Sequence, residues 1–455
     1  MIRIQYASEV EKDFFAPRDF SGSAETVRAV IDDVKKRGDA ALRDYGKKFD
    51  TASPSSFSVP EDELRAASEK LKRERPALYD ALSYSYDLAL RFAKKQKESF
   101  SDFEVELEPG VFTGQKTIPV ERAGAYIPAG RFPLISTVVM TAAPAVAAGV
   151  KKLAICTPPK VHPNDMCEAE KSGAGIAGKP FVGGFPYADE GIMAAAFICG
   201  VKTVFACGGA QAVAAMAFGT ESIPALDVIV GPGNKFVAAA KKEVFGEVGI
   251  DMLAGPTEVF IIADGSADPA WLAADLLAQA EHDPVAQPVL ATPDEALARK
   301  VAAEIESQLA SLPTRATAKA SVDACGRIIV TSSLKEAAEL ANRKAPEHLE
   351  LALAEGAECD KLVSLVHNYG SLFIGHYAAE VFGDYAAGLN HTLPTSTSAR
   401  FTGGLSVRTF LKTVTTLRCE KGRAGVTKSA QAAACLADAE GLAAHARAAR
   451  LRLEN

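Results

Sequence analysis

The chain has 455 residues, of which 48% are hydrophobic and 24% charged, with a net charge of −7. That length exceeds one ordinary core and points to two or more domains. The acidic balance, with no basic block and no interleaved aromatics, argues against a nucleic-acid partner.

The first residues, through about Phe20, read as an arm. MIRIQYASEVEKDFF lacks an apolar h-region, so it does not read as a signal peptide. A helix is predicted from Ser23, a candidate N-cap, with Val27, Val30, Ile31 and Val34 at helical spacing. EDELRAASEKL and PALYDALSYSYDLALRFAKKQ extend this helical character over the first hundred residues. After Pro119 the pattern changes. GAYIPAG (Gly124–Gly130) reads as a turn, TVVMTAAPAVAAG as a helix and Lys152–Pro159 as a buried strand. Lys160–Glu190, rich in glycine and proline, reads as a long loop or insertion. Helices GIMAAAFICG, AQAVAAMAFG and NKFVAAAKKEVFG then alternate with strands TVFACGG and DVIVGPG, which implies a parallel sheet. The apolar stretches Thr137–Cys156 and Gly191–Gly219 are broken by Pro144, Lys151, Lys202 and glycines. They read as α/β core, not membrane spans.

IDMLAGPTEVFIIAD (Ile250–Asp264) leads into a second α/β block. Asp268 and Pro269 suit the N-cap and first position of the helix that carries Gln279. PVLATPD, GRIIVTSS, HLELALA and GSLFIG read as strands, with helices DEALARKVAAEIESQL, LKEAAELANRK and Cys359–His367 between them. A tail follows Ser398 and ends in the helix DAEGLAAHARAARLRL. The expected fold class is therefore α/β: two Rossmann-like layered domains with a helical N-terminal region and a C-terminal helical tail. The eight cysteines form no CxxC pair. Most read as reduced core residues, which favours the cytoplasm.

Several polar constellations carry chemistry. Gln279 and His282 are three apart at a helix end and point the same way. With Asp384 and His445 they offer an amide oxygen, two imidazoles and a carboxylate, a set suited to zinc or a related ion. Ordinary polar residues are the plain alternative, because spacing alone does not bring the four together. Glu347–His348 sits after Pro346 at the start of a strand. Such a pair supplies two acid–base groups, each worth roughly 10²–10⁴-fold when positioned; alternatively it is a surface glutamate beside a capped histidine. GPGN (Gly231–Asn234) and CGGAQ (Cys207–Gln211) lie between strand and helix, where backbone N–H groups meet phosphate. GPGN has Phe236 where GxGxxG requires glycine, so it is a poor dinucleotide fingerprint.

Together GAYIPAGRFPLIST, CGGAQAVAAMAFGT, VGPGNKFVAAAKKEVFG, IDMLAGPTEVFIIAD, DLLAQAEHD, APEHLEL, FGDYAAGLNHTLPT and DAEGLAAHA resemble the histidinol dehydrogenase family, from about Ser23 to the C-terminus. The resemblance implies a homodimer that uses NAD and one zinc per site. It implies oxidation of L-histidinol to L-histidine through the aldehyde in two hydride transfers. By motif position, Gln279, His282, Asp384 and His445 match zinc ligands, His445 being supplied by the partner subunit. Glu347 and His348 match the catalytic pair. Thr257, His391 and Glu440 match substrate-contacting positions, to which the metal ligands and His348 also belong. Tyr126, Gln211 and Asn234 match positions that contact NAD. The implied division is an arm (1–22), a discontinuous catalytic domain (23–125 and 256–398), a Rossmann-like NAD-contacting domain (126–255) and a tail (399–455) serving the partner's site. Ala129 replaces a usual glycine, Thr257 replaces a usual serine, and Lys160–Glu190 is longer than expected. A related zinc- and NAD-dependent dehydrogenase of another polar alcohol, such as a sulfonated diol, is the alternative; a zinc hydrolase would need a signature such as HExxH, which is absent. Glu440 near His445 favours a cationic or imidazole-bearing substrate.

Overall fold

The computed structural model describes residues 2–17, 21–130, 133–172 and 180–453. Arg131 and Phe132 of the RFPLIST motif, and the middle of Lys160–Glu190, lie outside the described residues. The described chain is α/β and divides into two compact units. One comprises Met1–Lys94 and Glu121–Phe410, the other Lys95–Val120 and Leu411–Asn455. No described helix is long and apolar enough to cross a membrane.

The larger unit is built on two six-stranded sheets. The first runs, in spatial order, Arg3–Tyr6, Arg327–Val330, Gln287–Thr292, Glu258–Ala263, His348–Ala352 and Ser371–Ile374, with every pairing parallel. Strand Glu258–Ala263 is buried throughout, as a sheet covered on both faces requires. Val259 and Ile261 join one apolar cluster, while Phe260 and Ile262 join the cluster on the opposite face. Residues 3–6, read above as arm, form the edge strand here, and Ile2 beside them is 3% exposed. A four-residue strand 324 positions from its partner leaves no local signal to find it by.

The second sheet runs Gly249–Ile250, Val228–Val230, Arg122–Tyr126, Lys152–Thr157, Thr203–Ala206 and Ser58–Val59, the last pairing being antiparallel. Residues 122–126 are thus a central strand, where the sequence suggested only a turn nearby. Helix Ala24–Arg37 packs on helices Gly209–Phe218 and Lys235–Val244, and all three contribute to one core. Ser23 flanks that first helix but makes no side-chain capping bond. Within the segment read as a long loop, Met166–Ser172 is helical.

The smaller unit has an antiparallel sheet, Leu411–Cys419, Val111–Pro119 and Phe103–Glu108, plus helices Ala424–Ala439 and Ala443–Arg450. Phe103–Glu108 is exposed at its first five positions, although Phe103, Val105 and Leu107 alternate with glutamates as strand periodicity requires, a signal that sequence reasoning missed. The C-terminal stretch is two helices, not the expected one. Gly441, at φ 76°, ends the first in a backbone conformation that glycine adopts without strain.

Candidate active site

A cavity of about 720 Å³ opens at the carboxyl ends of the second sheet's strands. Tyr126 and Pro128 line it after one strand, Pro158 and Lys160 after the next, Gly209 and Gln211 after the third, and Asn234 after Val228–Val230. Chain order reverses between strands 122–126 and 228–230. Open α/β sheets bind ligands at such a switch point. The three residues expected to contact the cofactor therefore face one space.

Local chemistry fixes that wall. Tyr126 Oη accepts the Gly209 N–H at 3.1 Å, leaving its own proton free to donate. Burial keeps Tyr126 protonated. Asn234 Oδ1 caps helix Lys235–Val244 by accepting from Phe236 and Val237 N–H. Its Nδ2 remains for a ligand. Gly231, at φ 107°, passes so close to Tyr126 that a Cβ would collide with the Tyr126 carbonyl. The buried pair Lys241–Asp251 grips the same glycine: Lys241 Nζ donates to its carbonyl at 2.9 Å, and Asp251 Oδ2 accepts its N–H at 2.7 Å.

His282 lines the same cavity. It follows helix Pro269–Ala280, which starts as expected with Pro269 after Asp268, whose carboxylate accepts the Ala270 N–H. Gln279, on that helix and 1% exposed, is wedged between Thr257 and Glu380. Its amide nitrogen donates to Glu380 Oε2 at 2.9 Å, and its oxygen meets Thr257 Oγ1. Glu380 and Asp384 are i,i+4 on helix Glu380–Tyr385 and share a face. That contact carries Asp384 toward Gln279 and His282.

Glu347 and His348 stand at the amino end of their strand, beside the strand that follows Thr257. Thr257 Oγ1 lies 2.5 Å from Glu347 Oε2, which also accepts the Glu258 N–H at 3.0 Å. One hydroxyl proton cannot serve both Glu347 and the Gln279 oxygen. A protonated Glu347 resolves the conflict by donating to Thr257, and burial pushes Glu347 up to about 7. His348 Nδ1 is 3.2 Å from the Glu258 carbonyl. Its Nε2 is buried without a hydrogen-bond partner among the described residues, 3.7 Å from Asp384 Oδ1. Burial acts to lower His348, but Glu380, Glu347 and Asp384 outweigh it and raise the imidazole to about 10. Burial acts to raise Asp384, but His348, His391 and His282 hold it below the usual carboxylate range. His391, whose Nδ1 is 3.1 Å from the Asp384 carbonyl, is lowered mainly by burial. Thr257, Gln279, His282, Glu347, His348, Asp384 and His391 thus belong to one connected cluster.

The family model for histidinol dehydrogenase matches residues 16–453. The chain belongs to the histidinol dehydrogenase family. It is 40% identical over 468 aligned positions to the histidinol dehydrogenase of Dechloromonas aromatica, covering 100% of each chain. Against that of Thermus thermophilus it is 42% identical, covering 98% of this chain and 99% of the relative. The crystal structure of histidinol dehydrogenase from Elizabethkingia anophelis matches with a TM-score of 0.86 at 34% identity, covering 99% of this chain and 97% of that one. The protein is accordingly an oxidoreductase.

Glu440 and His445, also expected in a histidinol dehydrogenase site, belong to the smaller unit. Both are exposed, Glu440 at the end of helix Ala424–Ala439 and His445 on helix Ala443–Arg450. Among the described residues, no three His, Cys, Asp or Glu side chains group to hold a metal ion. Ala129 lines the cavity at 2% exposure, so its methyl is accommodated. Sequence reasoning missed Glu380, 1% exposed and pushed up to about 8 by burial. Its i,i+4 spacing from Asp384 was the available signal. It also missed Glu258, buried against Lys344 at 3.1 Å, and Asp50 on the cavity wall. Neither carries a local signal.

Proposed function

We propose that the protein oxidises L-histidinol to L-histidine through histidinaldehyde, with NAD in the cavity of the second sheet and zinc beside Gln279, His282 and Asp384. The observation that carries this reading is that His282 lines the same cavity as Tyr126, Gln211 and Asn234. In this reading the electron acceptor and the reacting carbon share one space.

The donor chemistry fits zinc. Gln279, His282 and Asp384 offer an amide oxygen, an imidazole nitrogen and a carboxylate oxygen, one short of a tetrahedral set. His445 of a second copy is proposed as the missing ligand and Glu440 of that copy as a substrate contact, making the enzyme a homodimer. Zinc, when bound, would orient the substrate through its amino and imidazole nitrogens, and NAD would accept hydride.

The chain's own groups then handle protons. His348 Nε2, unsatisfied and facing the cluster, takes the alcohol proton as hydride leaves carbon. Positive charge brought against Asp384 and Glu380 on loading lowers His348 and frees its base form. Glu347 gives its proton away on loading and accepts one from the water that adds to the aldehyde. Thr257 and Gln279 keep its carboxyl in place. The hydrate then loses the second hydride.

The test is NADH formation with histidinol. The expected result is two NADH per histidinol, abolished by a chelator and restored by zinc. No NAD reduction with histidinol refutes the reading.

A further inference from the structure

Asp50 is the cavity group that the assignments above leave without a task. It follows helix Asp39–Phe49, and its backbone N–H donates to the Gly46 carbonyl at 3.0 Å. The next residue is also tied down: Thr51 Oγ1 donates to the Pro159 carbonyl at 3.1 Å, and the Thr51 carbonyl accepts the Phe181 N–H at 3.0 Å. The carboxylate is held close to the turn between Cys207 and Gln211. A Cβ added to Gly208 would sit 3.1 Å from Asp50 Oδ1.

Nothing in the described protein answers this carboxylate. No cation or hydrogen bond offsets its desolvation, which alone pushes the carboxyl up to about 7. Asp50 is partly buried on the cavity wall, and a carboxylate so placed gains when a donor enters. The backbone is anchored on both sides, so the side chain waits in a fixed place.

The donor's chemistry follows from the surroundings. Val27, Val30, Phe49 and Pro159 give the neighbouring wall an apolar character suited to a flat base. Asp50 lies beside the Gly208 turn that precedes helix Gly209–Phe218, on the same wall as Val27, Val30 and Phe49. A neutral donor pair that spans both carboxylate oxygens is a vicinal diol. A phosphate ester at the same place would set a dianion against a carboxylate.

We propose that Asp50 receives the 2′,3′-diol of the adenosine ribose and makes the enzyme select NAD over NADP. This rests on the reading of the cavity as the NAD site. A charge-assisted bond pair of this kind discriminates by tenfold or more.

The experiment measures equilibrium binding of NAD, NADP and ADP-ribose by calorimetry to the parent, Asp50→Asn and Asp50→Ser. Both variants remove the charge, and Ser serves if Asn fails to fold. The expected result is a Kd for NAD and ADP-ribose weakened about tenfold or more. NADP should be weakened less or strengthened, so that the preference ratio falls by at least about tenfold. A 2′-deoxyadenosine analogue of NAD should bind the parent more weakly and should lose less affinity in the variants than NAD does. Folded variants that bind NAD within about twofold of the parent, or that keep its NAD-to-NADP ratio, overturn the assignment of Asp50 while leaving the cofactor site intact. A parent that binds neither NAD nor ADP-ribose overturns the cofactor reading and this inference with it.

Discussion

Replacing Lys241 by methionine tests whether a buried ion pair holds the loop 231–234, where NAD is proposed to bind. Lys241 is 2% exposed and Asp251 is buried against it. The pair takes the Gly231 carbonyl through Lys241 Nζ and the Gly231 N–H through Asp251 Oδ2. Asp251 Oδ1 also accepts the Met252 N–H at 2.6 Å. Methionine fills the volume but strands Asp251 and leaves the Gly231 carbonyl without its cationic donor. Removing one member of such a pair costs about 3–5 kcal/mol. The lost charge-assisted bond, about 1.5–3 kcal/mol, is part of that figure and is not added to it. In a unit of this size the fall in Tm is roughly 4–6 °C. Asn234 follows three residues after Gly231, so a loosened loop should also raise KM for NAD about tenfold, or ~1.4 kcal/mol. Calorimetry and NAD titration on the parent, Lys241→Met, Asp251→Asn and the double variant give the full cycle. The double variant should lose less than the sum, with a coupling of about 1–3 kcal/mol. A Lys241→Met protein melting within about 1 °C of the parent, or strictly additive losses, refutes the reasoning.

Other outcomes follow from the same geometry. Glu347→Gln should slow carboxylate formation by about 100-fold or more while still releasing aldehyde, as single-turnover product analysis reads directly; full-rate carboxylate removes its role. His348→Asn should slow alcohol oxidation by at least about 100-fold, and an undiminished rate excludes it as the base. Gly231→Ala places a methyl against the Tyr126 carbonyl at positive φ, so stability measured in urea should fall by about 3 kcal/mol or more. Asp50→Asn in the protein without cofactor should change stability in a pH-dependent way. The parent carboxyl moves from 3.8 to about 7 on folding, so the penalty of burying its charge is absent below about pH 4 and complete above about pH 7. The variant's gain in Tm should therefore be largest near pH 8 and vanish near pH 4; an equal gain at both refutes it. Deleting the chain beyond Gly441 should abolish zinc binding measured by metal analysis, while stoichiometric zinc in the truncated protein shows that His445 is not a ligand.

The sequence by itself determined the α/β class, the helix capped by Asp268 and Pro269, and the pairing of Glu347 with His348. These depend on spacing within a few residues, where periodicity and capping are written locally. The ordered motifs also determined the family. Only the tertiary structure decided which of these residues share a space. Strand 3–6 required a partner 324 positions away, whereas strand 103–108 did carry a local signal, the alternation of Phe103, Val105 and Leu107 with glutamates, that sequence reasoning missed. Gln279, Thr257, Glu347 and Glu380 come from four separate segments, and their contacts arise because the helix and strands bearing them are packed against each other. Asp50 makes the same point most sharply. Its residue type is ordinary at a helix end. Its proposed role depends on what surrounds it after folding, a place on the cavity wall where no cation or hydrogen bond offsets its desolvation, and burial is a property of the whole fold that no local pattern encodes.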